Sequence, residues 1–102
     1  MVAVGTTPTF TFTFTEQGLD LTQANNVYVT FRQGNTLLEK ETADLTIAEK
    51  SVAVTLGQTD TYKLEPGQML MQVNWVYQDG SRAASEVVSC SIGDNLHPSP
   101  LA

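Results

Sequence analysis

The chain has 102 residues, enough for one domain that buries a core without disulfides or a structural metal. Eleven acidic against five basic side chains give a formal net charge of −6 and an isoelectric point near 4.4, which disfavours general nucleic-acid binding and docking on anionic membranes. A single cysteine, Cys90, excludes an intramolecular disulfide.

The opening stretch "MVAVGTTPTF" has neither a basic n-region nor an apolar h-region, so no signal peptide is read there. No apolar run reaches the roughly 18 residues of a membrane helix. These features predict a soluble protein made in the cytosol.

Hydrophobicity with period two dominates the chain. "TPTFTFTFT" (residues 7–15) alternates without a break and predicts a first strand with Phe10, Phe12 and Phe14 inward and Thr9, Thr11, Thr13 and Thr15 outward. Residues 16–26 are rich in turn formers, with Leu19 and Leu21 positioned to plug the core. "NVYVTFRQ" (26–33) sets Val27, Val29 and Phe31 against Tyr28, Thr30 and Arg32. Gly34 then supplies a turn at positive φ, and "TLLEKE" (36–41) reads as a short strand.

Residues 44–56 read as two short strands around Glu49 and Lys50. "GQTDTYKL" (57–64) has room for one helical turn, with Thr59 as its cap. Pro66-Gly67 predicts a turn before the longest strand, 68–78, where Met69, Met71, Val73, Trp75 and Tyr77 share an apolar face. "QDGS" (78–81) is a hairpin signal. A two-residue loop at Asp79-Gly80 would set Met71 opposite Val88 and Met69 opposite Cys90; a three-residue loop with a bulge would shift that register by one.

Six to seven short strands separated by turns predict an all-β fold: a single antiparallel β-sandwich of immunoglobulin-like type over residues 1–92, with 93–102 a flexible arm. A small barrel is the competing architecture.

Catalytic chemistry is thinly supplied. His97 lies among prolines near the chain end, where packing would not hold a general base in place. Cys90 alternates with Val88 and Ile92 and reads as a buried thiol. One cysteine and one histidine do not make a zinc site. Asp20, Asp44, Asp60, Asp79 and Asp94 all fall in turns, where aspartate is common, and no spacing gathers them around calcium. Glu39 and Glu41 share a strand face, which reads as solvated; a hydrolase would need two close carboxylates in a deep cleft.

Trp75 and Tyr77 share the apolar face of their strand, which leaves Tyr28 as the aromatic side chain turned to solvent, short of a sugar-binding platform. A single Thr row falls short of the stacked rows an ice-binding surface needs. Residues 9–15 are uncharged and Pro8 guards only their start, so the edge of this strand must be covered by a neighbour in the chain or by another subunit. Thr9, Thr11, Thr13, Thr15 and Tyr28 are the candidate interaction surface.

The segments "TPTFTFTFTEQGLDLTQANNVYVTFRQG" and "VTLGQTDTYKLEPGQMLMQVNWVYQDGSRAASEVVSCSIGDNL" carry a resemblance. A Thr-Pro-Thr start, an alternating Phe/Thr strand, a "VTFRQG" strand, an "L-T-Q-x-x-T"-like turn, a "QV" strand, a Gly hairpin and a Ser-rich closing strand follow in order. The matching residues are Thr7, Pro8, Thr9, Phe10, Thr30, Gln33, Leu56, Gln58, Thr61, Gln72, Val73, Gly80 and Ser85. In these features the chain is similar to small β-sandwich proteins encoded in prophage structural gene clusters of Gram-positive gut bacteria. It is more loosely similar to the N-terminal immunoglobulin-like domain of phage baseplate upper proteins.

The resemblance implies a virion- or tail-associated structural protein with no catalytic residue and no cofactor to carry over. It departs from that pattern in lacking a following receptor-binding or shaft region. "TDTY" (59–62) resembles the turn before the tyrosine corner of immunoglobulin domains, although Pro66 and Gly67 separate Tyr62 from the next strand. The expected function is a non-enzymatic interaction module whose partners are proteins, itself or other phage structural proteins, and neither nucleic acid nor membrane. A carbohydrate- or cell-surface-binding domain is the alternative.

Overall fold

The computed structural model describes residues 1–97. Nine strands form: β1 (Val2–Ala3), β2 (Thr9–Thr13), β3 (Asn26–Gln33), β4 (Thr36–Glu41), β5 (Leu45–Ala48), β6 (Ser51–Thr55), β7 (Gly67–Val76), β8 (Arg82–Ala84) and β9 (Val88–Gly93). One helical turn, α1 (Gln58–Thr61), joins β6 to β7. The larger sheet runs β1-β9-β7-β3-β4, with β8 also on β7; the smaller runs β2-β6-β5.

Alternation explains how the two sheets meet. Val27, Val29 and Phe31 of β3, Met69, Met71, Val73 and Trp75 of β7, and Val52 and Val54 of β6 are all buried between them. Each such side chain contributes about 1.5–3 kcal/mol of transfer free energy when fully covered. Leu19 and Leu21 also enter the core, as their position in a polar loop predicts.

Several expectations are corrected in detail. The strands number nine because "MVAV" supplies β1 and the closing strand splits into β8 and β9. The sheets are not wholly antiparallel: β1 pairs parallel to β9, with Val2 opposite Ile92 and Ala3 opposite Gly93. Thr59 lies inside α1, whose cap is Gly57. The first strand is Thr9–Thr13, shorter than the alternating run, although the Phe14 N–H still reaches the Lys50 carbonyl at 2.8 Å. The expected arm, 93–102, begins inside β9 at Gly93, and its residues 98–102 lie outside the described residues.

The hairpin after β7 has a three-residue loop. Tyr77 N–H donates to the Ser81 carbonyl, and Val76 faces Arg82. Met71 nevertheless faces Val88 and Met69 faces Cys90. Val73 N–H donates to Ser85 Oγ, Ser85 N–H donates to the Val73 carbonyl, and the next paired residues are Met71 and Val88. Glu86 and Val87 together therefore oppose Gln72. This bulge offsets the longer loop and restores the inward register.

The turn between β1 and β2 is clasped from α1. Thr61 is fully buried and its hydroxyl donates to the Thr6 carbonyl at 2.8 Å, while the Tyr62 ring lies against Gly5. On the other side Asn95 Nδ2 donates to the Val4 carbonyl at 2.8 Å. These contacts hold β1 on the larger sheet and leave β2 as the first strand of the smaller one.

Candidate functional site

β2 stands at the end of its sheet, paired with β6 alone. The Leu56 N–H donates to the Pro8 carbonyl and the Phe14 N–H to the Lys50 carbonyl, so even-numbered backbone groups turn toward β6. Strand alternation then turns the N–H and C=O groups of Thr9, Thr11 and Thr13 away from the sheet, at an edge that no strand covers among the described residues. Thr9, Thr11 and Thr13 are exposed on the outer face; Thr9 shares a hydroxyl hydrogen bond of 2.7 Å with Thr55. Thr15 is exposed just beyond the strand.

The inward row stacks on the middle of the larger sheet. The Phe10 ring lies 5.5 Å from that of Phe31 on β3, and the Phe14 ring lies 5.6 Å from the indole of Trp75 on β7. β9 and β8 lie on the far side of β7 from β3; since the β2 rings rest on β3 and β7, the larger sheet continues past β2 there, with no strand of the smaller sheet above it among the described residues. Val88 shows the result: it points inward opposite Met71, yet 42% of it is exposed.

The space beside β2 is a groove of about 600 Å³. Its wall is the Phe10–Phe12–Phe14 row, and its floor includes Met71, Trp75, Ala84 and Val88. Trp75 Nε1 is fixed by donating to Tyr77 Oη at 2.9 Å. Ser85 and Glu86, at the start of the bulge, also line the groove, and Gln72 Nε2 donates to the Ser85 carbonyl at 2.9 Å. Glu16 and Glu86 line the groove, and neither carboxylate enters an ion pair among the described residues. Lys50, the cation nearest in sequence to this end of the strand pair, donates to the backbone carbonyls of Glu16 and Leu19.

Tyr28 is not part of this site. It alternates with buried Val27 and Val29, so it is half-buried on the outer face of the larger sheet, across the core from the threonine row. There it borders a separate polar depression of about 340 Å³ with Thr30, Glu39, Asn74, Val76 and Arg82. Arg82 Nη2 donates to Asn74 Oδ1 at 3.2 Å.

Sequence reasoning put the threonines on the outward face of this strand and left open whether its edge is covered within the chain. It missed Val88, Ser85 and Glu86, because a strand read as inward-facing is assumed to be covered. The mismatch between a ten-residue β7 and the short strands of the other sheet was the available signal.

Two carboxylates are shifted by their neighbours. Burial pushes the Asp60 carboxyl up, but hydrogen bonds from Lys40 and the Gly57 N–H, with the Lys40 and Lys63 charges, hold it below its ordinary value. Lys40 Nζ lies 2.9 Å from it. Hydrogen bonds from the Ser81 hydroxyl and N–H likewise lower Asp79. Cys90 is half-buried, its thiol 3.6 Å from the Ser91 carbonyl. Among the described residues no group of three or more His, Cys, Asp or Glu is placed to hold a metal ion, and no helix is long and apolar enough to cross a membrane. Comparison with protein-family models, curated proteins and solved structures found no match.

Proposed function

We propose that this chain is a non-enzymatic interaction module of immunoglobulin-like topology that acts through the uncovered edge of β2, in a virion- or tail-associated role. One observation carries the reading: the outward backbone groups of Thr9, Thr11 and Thr13 lie beside a groove walled by the Phe10–Phe12–Phe14 row and lack a strand to pair with among the described residues. In the immunoglobulin plan a four-stranded sheet ABED faces strands C, F and G. Here β2, β6 and β5 take the places of B, E and D, and β3, β7 and β9 those of C, F and G. The A position beside β2 is vacant, because β1 pairs with β9 instead. The similarity to prophage structural proteins supplies the virion setting.

Light scattering of the purified chain, alone and with the products of adjacent genes, tests this reading. A higher-mass complex is expected, lost on Thr11→Pro, which removes an outward N–H while leaving the ladder to β6 intact. A strict monomer that joins none of those products would overturn it.

The second reading, a carbohydrate- or cell-surface-binding domain, is favoured by the polar depression at Tyr28, Asn74 and Arg82. It predicts glycan-array signals that disappear on Tyr28→Ala, and silence across the array would remove it.

A further inference from the structure

We infer that the groove takes one extended strand from another protein, with apolar side chains at alternate positions and a net positive charge carried by lysine or arginine. This inference rests on the reading of β2 as a contact edge, and it specifies what pairs there.

The alternation is dictated by the geometry. A strand added beside β2 bonds to the outward N–H and C=O groups of Thr9, Thr11 and Thr13. Every second side chain of that strand then points between the sheets, over Val88 and beside the Phe row. Apolar side chains fit those positions, since they meet the half-buried Phe10–Phe12–Phe14 row and Val88, which is 42% exposed.

A second copy of β2 does not fit. Antiparallel pairing about a two-fold axis is the arrangement that keeps both Phe rows inward. It places the axis about 2.4 Å beyond β2, half the usual strand spacing. The larger sheet continues past that line through β9 and β1, so the two copies would drive these strands into one another. A lone strand has no second layer and escapes the collision.

Charge selects the sign of that strand. Glu16 and Glu86 line the groove without ion-pair partners among the described residues, in a chain of net charge −6. A cationic strand is attracted and an acidic one repelled.

Trp75 is the single tryptophan and sits at the groove floor, so its fluorescence reports occupancy. The probe is a capped heptapeptide, Lys-Val-Thr-Val-Thr-Val-Lys, compared with the same peptide carrying glutamate for both lysines. The lysine peptide is expected to change Trp75 emission saturably and to slow amide exchange at Thr9, Thr11 and Thr13 by about tenfold or more at saturation. The glutamate peptide should bind about tenfold more weakly at low salt, with the gap narrowing as salt rises. Val88→Lys, at a half-exposed position, should weaken binding about tenfold with an unchanged unfolding midpoint.

Equal binding of the two peptides, or binding without protection of the Thr11 amide, would overturn the inference. If neither peptide binds while Thr11→Pro still dissolves a complex seen by scattering, the peptide chemistry is wrong and the edge reading stands. If neither peptide binds and no complex exists, both fall.

Discussion

Gly5 takes a φ of +78°, and a Cβ built on it would lie 2.3 Å from Cζ of Tyr62. Two costs therefore meet at one position, left-handed backbone and a ring that must shift. Gly34 has the first without the second: its φ is +56° and nothing lies within 4 Å of a built Cβ. Gly34→Ala should cost about 1 kcal/mol and Gly5→Ala about 2–4 kcal/mol. Urea unfolding of the two variants separates the steric part, and equal midpoints would refute the crowding at Tyr62. The larger loss has a structural consequence, because Gly5 and Thr6 are where the chain crosses from the β1 sheet to the β2 sheet.

The β8–β9 bulge is the element that departs most from simple alternation. Ser85 is its hinge: its hydroxyl accepts from the Val73 N–H and donates to the Glu86 carbonyl, both at 2.9 Å. Ser85→Ala leaves the Val73 N–H without that acceptor and should destabilise the protein by about 1–2 kcal/mol in denaturant unfolding. Faster exchange at the Val73 amide, with β3 amides unchanged, would localise the loss, and an unaltered Val73 amide would count against it.

Strand content and inward faces were legible in the sequence, since period-two apolarity in β3 and β7 is set by burial on one side. The Met71–Val88 pairing also follows from apolar matching, although the loop that delivers it is one residue longer than the two-residue turn suggested by Asp79-Gly80. β1 was not legible. Two residues carry no periodicity, and parallel pairing with β9 depends on contacts such as Asn95 to Val4 that link opposite ends of the chain. The candidate site was half legible: the threonine row follows from β2 alone, but the groove needs the relative placement of two sheets.

For the molecule as a whole, the decisive fact is unequal layers. Three strands face a sheet of six, so part of the larger sheet has no strand above it among the described residues. Which part stays bare is fixed by β1, whose pairing with β9 takes the first strand away from β2. Tyr28 and the threonines consequently lie on opposite outer faces, and one ligand of modest size cannot touch both. Losing one candidate surface should leave the other intact. Thr11→Pro is expected to spare any glycan signal, and Tyr28→Ala to spare any protein complex.

The run from Thr9 to Thr15 has a further consequence when the chain is unfolded. Seven uncharged residues with strict alternation and high β propensity make a cross-β segment, able to stack on its own kind. Pro8 and Glu16 bracket it, one unable to extend a ladder and the other charged. Replacing both by threonine should shorten the thioflavin lag time several-fold, by about threefold or more, for protein held at its urea midpoint at pH 7. An unchanged lag would deny these two residues a gatekeeping role. The same strand is then open along one edge when folded and fenced at both ends against fibril growth when not.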